Sequence, residues 1–146
     1  MGAVVLALVT IAIHNQAELG ADTVQRAQAE VERLCPLLLG APVSWGHSTF
    51  HVVLRRQPGG GPGSASASAL GTTVGDDHAE GGTAFVFVDR VLRLAHQYQQ
   101  PVHVVLALAI AHEIGHLLLP APAHAREGLM KASWDGDDIR RLVQAR

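Results

Sequence analysis

The sequence predicts an α+β fold in which a twisted mixed β-sheet packs on helices. Runs rich in β-branched residues predict strands near the N-terminus and in the middle of the chain. Apolar residues at helical spacing predict one helix after the first strand and further helices toward the C-terminus. A chain of 146 residues can bury one core but divides poorly into two, so we expect a single domain spanning residues 1–146.

The N-terminal half of the chain predicts three strands and a helix. The run VVLALVTIAIHN, residues 4–15, is rich in β-branched residues and predicts a central strand buried on both faces. Apolar residues at helical spacing in 22–38 predict a helix that ends near 36–40, where proline and glycine interrupt the pattern. APVSWGH (41–47) and FHVVLRR (50–56) predict two short strands.

A segment rich in glycine, serine and alanine follows, and most of it must be loop because it has too few apolar residues to bury. Within this segment, SALGTTV (68–74) could form a short strand. TAFVFVD (83–89) predicts a strong strand, and Asp89 is placed to cap a helix that runs from Arg90 to about Gln99.

The C-terminal third predicts two more helices. One begins after Pro101, whose position suits a first helical turn, and continues until Pro120 stops it. The last helix is short, with Asp135 or Asp137 as its N-cap and arginines toward its C-terminal end.

The composition excludes several classes of protein. A hydrophobic share of 48% argues against a disordered chain, and a formal charge of −2 gives no basic excess for a nucleic-acid partner. The single cysteine, Cys35, excludes an internal disulfide framework, and its apolar surroundings predict a buried, inert thiol. We expect a monomer.

The apolar run from Ala3 to Ile13 is too short to cross a bilayer as a helix, so we expect no transmembrane segment. The run also lacks the basic flank and the cleavage site of a signal peptide. The sequence does not decide the compartment. If a leader was removed from the protein, it would be secreted or periplasmic.

The stretch AHEIGHLLLP places two histidines four residues apart on the helix that follows Pro101. Residues at this spacing lie one turn above each other, so His112 and His116 present two imidazoles to one point, as a divalent ion requires. Glu113 could accept a proton from a water that the metal activates, which is the chemistry of the H-E-x-x-H zinc hydrolases. The alternative is a pair of core histidines, but ionisable side chains in an apolar helix are costly unless something binds them.

A third ligand is available downstream. His124 follows the helix-breaking Pro120, so the chain can turn back and bring a third imidazole to the ion, and Met130 comes six residues later. Three protein ligands with one open position are typical of catalytic zinc. Glu127 is the competing third ligand, since other H-E-x-x-H enzymes use a glutamate; we expect His124.

The string from His112 to Trp134 resembles the metzincin clan of zinc metallopeptidases and a family of small bacterial predicted metalloproteases with H-E-x-x-H, a later histidine and a Met-turn. The resemblance implies a metzincin-like architecture with an active-site helix, a zinc cofactor, and Met130 as an apolar floor under the imidazoles. It also implies that an edge strand, for which the candidate residues are Ala69, Leu70, Gly71, Thr72 and Thr73, binds extended peptide. The expected function is a zinc-dependent peptidase with Glu113 as general base; the alternative is a catalytically inactive zinc-binding domain with a regulatory or binding role.

The chain departs from the clan motif at two points. The glycine that follows the second histidine in the clan is Leu119 here, and seven residues rather than five separate His116 from His124. The remaining histidines have no mutual spacing that makes a site: His14, His47, His51, His78, His96 and His103.

Overall fold

The computed structural model describes residues 7–58, 69–75, 81–119 and 124–145. Its elements follow the predicted order: β1 (Val9–Asn15), α1 (Ala21–Leu39), β2 (Val43–Trp45), β3 (Phe50–Arg55), β4 (Gly71–Gly75), β5 (Gly82–Phe87), α2 (Val88–Gln97), α3 (Val102–Leu118) and α4 (Gly136–Val143). The combination of one mixed sheet with helices agrees with the predicted α+β class.

The sheet has five strands in the order β2-β1-β3-β5-β4. β1 runs parallel to both of its neighbours, with Val9 opposite Val43 and Ala12 opposite His51. β5 is parallel to β3, whereas β4 is antiparallel to β5. β4 is therefore an edge strand of the sheet, as the sequence predicts for the segment that begins near Ala69.

Helices α1 and α3 cover one face of this sheet. The strand residues that join the core with them are fully or almost fully buried: Ile11, Val43, Val52, Leu54, Ala84 and Val86. α3 is buried continuously from Val104 to Gly115, because the sheet, α1 and α2 all pack against it. The most buried helix of the described chain is therefore the one that carries the H-E-x-x-H motif.

The expectation that the first strand is buried on both faces is wrong for its described part. Residues 4–6 lie outside the described residues, and the strand begins only at Val9, after an exposed Leu8. Ile11 is the fully buried residue of β1, while Thr10 and Ala12 are half-buried. The helices cover one face only, and an uninterrupted apolar run carries no alternation that would reveal this.

The first helix matches its prediction, with Val24, Ala27, Val31 and Leu34 buried. It ends at Gly40, which adopts the left-handed conformation with φ 69°. Cys35 is fully buried in this helix, as expected, and burial raises the pKa of its thiol to about 12. No described helix has the length and apolarity needed to cross a bilayer.

The prediction that Asp89 caps a helix beginning at Arg90 is wrong. β5 runs directly into α2, so the helix begins at Val88 and the N-cap residue is Phe87, without a side-chain cap. Pairing of β5 with β3 continues to Phe87, which leaves no loop in which a capping residue could stand. The Asp89 side chain instead pairs with Arg56, at 3.4 Å.

Asp135 is the N-cap of α4, which decides between the two predicted candidates. Its Oδ1 accepts from the backbone N–H of Asp138 at 2.8 Å, and its own N–H donates to Asp138 Oδ2 at 2.9 Å. The buried Asp138 carboxylate also accepts from Lys131, at 2.6 Å, and from Arg141, at 3.0 Å. These donors, Lys131 first, hold the pKa of Asp138 well below its usual range.

Replacing Asp138 with Asn should lower the free energy of unfolding at pH 7, because the charge that binds Lys131 and Arg141 is lost. A carboxyl whose pKa is lower in the folded state stabilises the fold above its unfolded pKa, about 3.9, and this contribution disappears as the pH falls further. The difference between variant and wild type should therefore shrink below about pH 4. Urea unfolding across pH measures it, with Asp137→Asn, at an exposed position of the same helix, as control; an equal loss at pH 7 and at low pH would contradict this account.

Candidate metal centre

Helix α3 brings His112 and His116 to one side, as their spacing predicts. Their Nε2 atoms lie 3.1 Å apart, with the rings edge to face at a centroid distance of 4.8 Å. His112 is buried, at 8% exposure, and His116 is half-buried. The pair therefore opens toward solvent on the His116 side.

His124 adds a third imidazole. Its Nε2 lies 3.0 Å from Nε2 of His116, and the ligand atoms of the three histidines all lie within 4.8 Å of one another. His124 is exposed and stands at the end of a segment, 120–123, that lies outside the described residues. Within the described parts of the chain, this triad is the one group of three or more potential metal-ligating side chains.

A backbone carbonyl fixes the tautomer of His112. Its Nδ1–H donates to the oxygen of Leu129 at 2.7 Å, so the lone pair of the neutral ring lies on Nε2, toward the other histidines. The same oxygen accepts from Trp134 Nε1 at 3.3 Å, and the Trp134 ring stands edge to face with His112. The sequence analysis did not identify Leu129 or Trp134 as part of the site; a backbone acceptor leaves no signal in the residue type.

The surroundings of His112 and His116 lower the pKa of both rings and so favour their neutral forms. Burial, more than any other cause, lowers the pKa of His112. Burial and then the neighbouring rings of His112 and His124 lower the pKa of His116 to about 4. Neutral imidazoles have a free lone pair, which is the state that binds a metal ion. The three histidine ligand atoms lie close enough together that they could hold a divalent cation, and three histidines are the ligand set of some catalytic zinc sites.

Glu113 lies beside the triad with an unsatisfied carboxylate. The side chain is 4% exposed, and its Oε2 has no hydrogen-bond partner among the residues that the structure describes. Burial raises the pKa of this carboxyl to about 8. An unpaired buried carboxyl is costly, and costly groups of this kind concentrate where a protein binds or transfers protons.

The triad and Glu113 face one cavity of about 560 Å³. The predicted edge-strand residues, Ala69 to Thr73, form one wall, and the segment from Lys131 to Trp134 forms another. Leu94 and Ala109 complete the lining, so most of the surface around the polar cluster is apolar. This volume suits a peptide side chain or a small ligand.

The edge-strand residues are placed as expected, with a small shift. Gly71, Thr72 and Thr73 belong to β4, whereas Ala69 and Leu70 precede it. Leu70 nevertheless continues the ladder, because its carbonyl accepts from the N–H of Phe87 at 2.8 Å. All five residues line the cavity.

Met130 packs against α3 at Gly115, the residue before His116. It is buried, and a Cβ atom built on Gly115 would overlap its sulfur and lie 2.9 Å from its Cε. The absence of a side chain at Gly115 therefore makes room for another segment, and Met130 is the residue that approaches. Glu127 is exposed and does not belong to the histidine cluster.

One pair of histidines was missed by the sequence analysis. Parallel pairing of β1 with β3 brings His14 beside His51, with ring nitrogens 2.9 Å apart and rings stacked at 5.1 Å. A hydrogen bond between the two rings accounts for this contact, and two ligand atoms are fewer than the three of a typical zinc site. His78 lies outside the described residues.

Comparison of the chain with family models, with curated proteins and with solved structures found no match. The arrangement of the site therefore stands on the residues themselves.

Proposed function

We propose that this chain is a zinc-dependent peptidase of metzincin-like architecture. The observation that carries the proposal is the convergence of three imidazoles beside a buried carboxyl group in one cavity, with Oε2 of that group lacking a hydrogen-bond partner among the described residues. Structural zinc sites use four protein ligands, whereas three protein ligands are typical of catalytic sites. A site that served only to hold the fold together would have no use for the unpaired Glu113.

His112, His116 and His124 would hold the metal. When bound in such a site, zinc acidifies water and polarises a carbonyl oxygen. The Leu129 carbonyl holds His112 in the tautomer that points Nε2 at the metal, and Met130 supports the helix from below.

Glu113 acts as the general base. Its carboxylate accepts a proton from the attacking water and later gives that proton to the leaving amine. Burial raises the pKa of this carboxyl to about 8, so that it can hold the transferred proton at neutral pH. The positive charge of a bound zinc would lower this pKa and leave the carboxylate ionised to accept the proton. The apolar lining of the cavity limits the water around this carboxyl, which strengthens its interaction with the reacting groups.

The edge strand binds the substrate backbone. β4 pairs with β5 on one side, and in the described residues no strand pairs with its other side. Its outer N–H and C=O groups are available to an extended peptide, which would add to the sheet and cross the cavity in front of Glu113. The proposed substrate is therefore a peptide or protein segment in extended conformation.

Replacing Glu113 with Gln should leave zinc content nearly unchanged, because this side chain moves a proton and does not ligate. Peptide hydrolysis should fall by at least ~100-fold, which is the size of a lost general acid–base contribution. Elemental analysis and a peptide-library assay measure the two effects. Undiminished cleavage would remove the mechanism, and no cleavage by the wild type would favour a zinc-binding domain without catalysis.

Replacing His124 with Ala should weaken zinc binding severely, because one of three protein ligands is lost. Glu127→Ala should hardly alter it, and this exposed neighbour is the matched control on the same loop. Competition with a chromophoric chelator gives both affinities. A larger loss in the Glu127 variant would assign the site to the glutamate-ligated zinc enzymes.

Replacing Met130 with Leu should cost under ~1.5 kcal/mol of stability, because the two side chains are similar in volume. Zinc should stay bound, since the methionine sulfur packs against Gly115 and is not proposed to ligate. Unfolding curves and metal content check both statements. Loss of the metal from a folded variant would show that Met130 is a ligand.

A further inference from the structure

We propose that Gly71 is a positioning residue for Glu113: the missing side chain lets the edge strand lie against the carboxylate and hold it in the cavity. The inference rests on the peptidase function proposed above. It assigns a role to one backbone position of β4 that differs from the general role of the strand in binding peptide.

The space between the two residues is filled. A Cβ atom built on Gly71 would lie 2.9 Å from both Cγ and Cδ of Glu113, and still closer to the backbone oxygen of Phe85. Real Cβ atoms almost never come within 3.0 Å of another heavy atom. Gly71 is not among the glycines with positive φ, so its backbone conformation is open to any residue. The requirement for glycine is therefore one of space.

Neither Glu113 nor the Phe85 backbone can move easily to make room for a side chain at position 71. The Glu113 side chain is buried on the most buried helix, and Phe85 lies in β5, which pairs with β3 on one side and β4 on the other. β4 has β5 as its single partner strand among the described residues. An alanine at position 71 would therefore push the edge strand outward.

The carboxylate depends on this packing for its orientation. Among the described residues, Oε2 of Glu113 has no hydrogen-bond partner, so van der Waals contact with these residues is what limits the side-chain torsions. When the edge strand moves away, the carboxylate gains rotational freedom and leaves the position that proton transfer requires. Misplacement of a catalytic group by about 1 Å can cost on the order of 100-fold in rate.

The test compares wild type, Gly71→Ala, Glu113→Ala and the double variant, with Gly46→Ala as the control. A Cβ atom on Gly46 would meet only a methyl group of Thr10, at 3.7 Å, so this control changes glycine to alanine without a clash. Zinc content, the urea midpoint of unfolding, kcat and KM are measured for each protein.

Zinc content should be unchanged in Gly71→Ala, because the added carbon does not approach the histidines. We expect kcat of Gly71→Ala to be between ~10-fold and ~100-fold lower than that of the wild type. The double variant should have the same kcat as Glu113→Ala alone. The urea midpoint should drop less for Gly71→Ala in the Glu113→Ala background, where Cγ and Cδ are gone. A single variant that does not fold, together with a double variant that does, would give the same support.

Full kcat in Gly71→Ala, or an equal loss in both backgrounds, would overturn the inference while leaving the peptidase function in place. Equal drops in the urea midpoint in both backgrounds, or failure of both variants to fold, would place the strain at Phe85 alone and also overturn it. A zinc-loaded wild type that cleaves no peptide would instead remove the proposed function. The unfolding comparison then still decides whether Gly71 holds the Glu113 side chain.

Discussion

The burial of α3 is the constraint on which the rest of the site depends. A helix that is buried from Val104 to Gly115 carries His112 and Glu113 in its last turns, where unpaired ionisable groups cost several kcal/mol. The protein reduces this cost for His112 with the Leu129 carbonyl and by keeping the ring neutral. For Glu113, Oε2 has no hydrogen-bond partner among the described residues. In the proposed function, a metal ion and a reacting water would supply the missing interactions.

The same constraint explains how the segment after α3 is held. The chain must return to α3 at Leu129, because the carbonyl of this residue accepts the hydrogen bond from Nδ1–H of His112. Met130 can then pack against the helix because Gly115 has no side chain. The next residue, Lys131, is tied to Asp138 of the last helix. α4 therefore anchors the wall of the cavity that Lys131 to Trp134 form.

The features of the site that could be predicted from the sequence are those that depend on short-range geometry. The spacing of His112 and His116 is enough to place both rings together, because a helix repeats every 3.6 residues. The contact of His124 depends on a loop, so its spacing in the sequence could only suggest what the structure shows. The Leu129 carbonyl could not be predicted, because every residue has one. Asp89 was misassigned because no residue pattern marks a strand that enters a helix without a loop.

The content of metal in the purified protein tests the central claim most directly. If three imidazoles on α3 and the following loop form a zinc site, elemental analysis should find about one equivalent of zinc per chain. A His112→Ala/His116→Ala double variant should bind none. A wild type that stays free of zinc after incubation with the metal, or a double variant that retains it, would contradict the account.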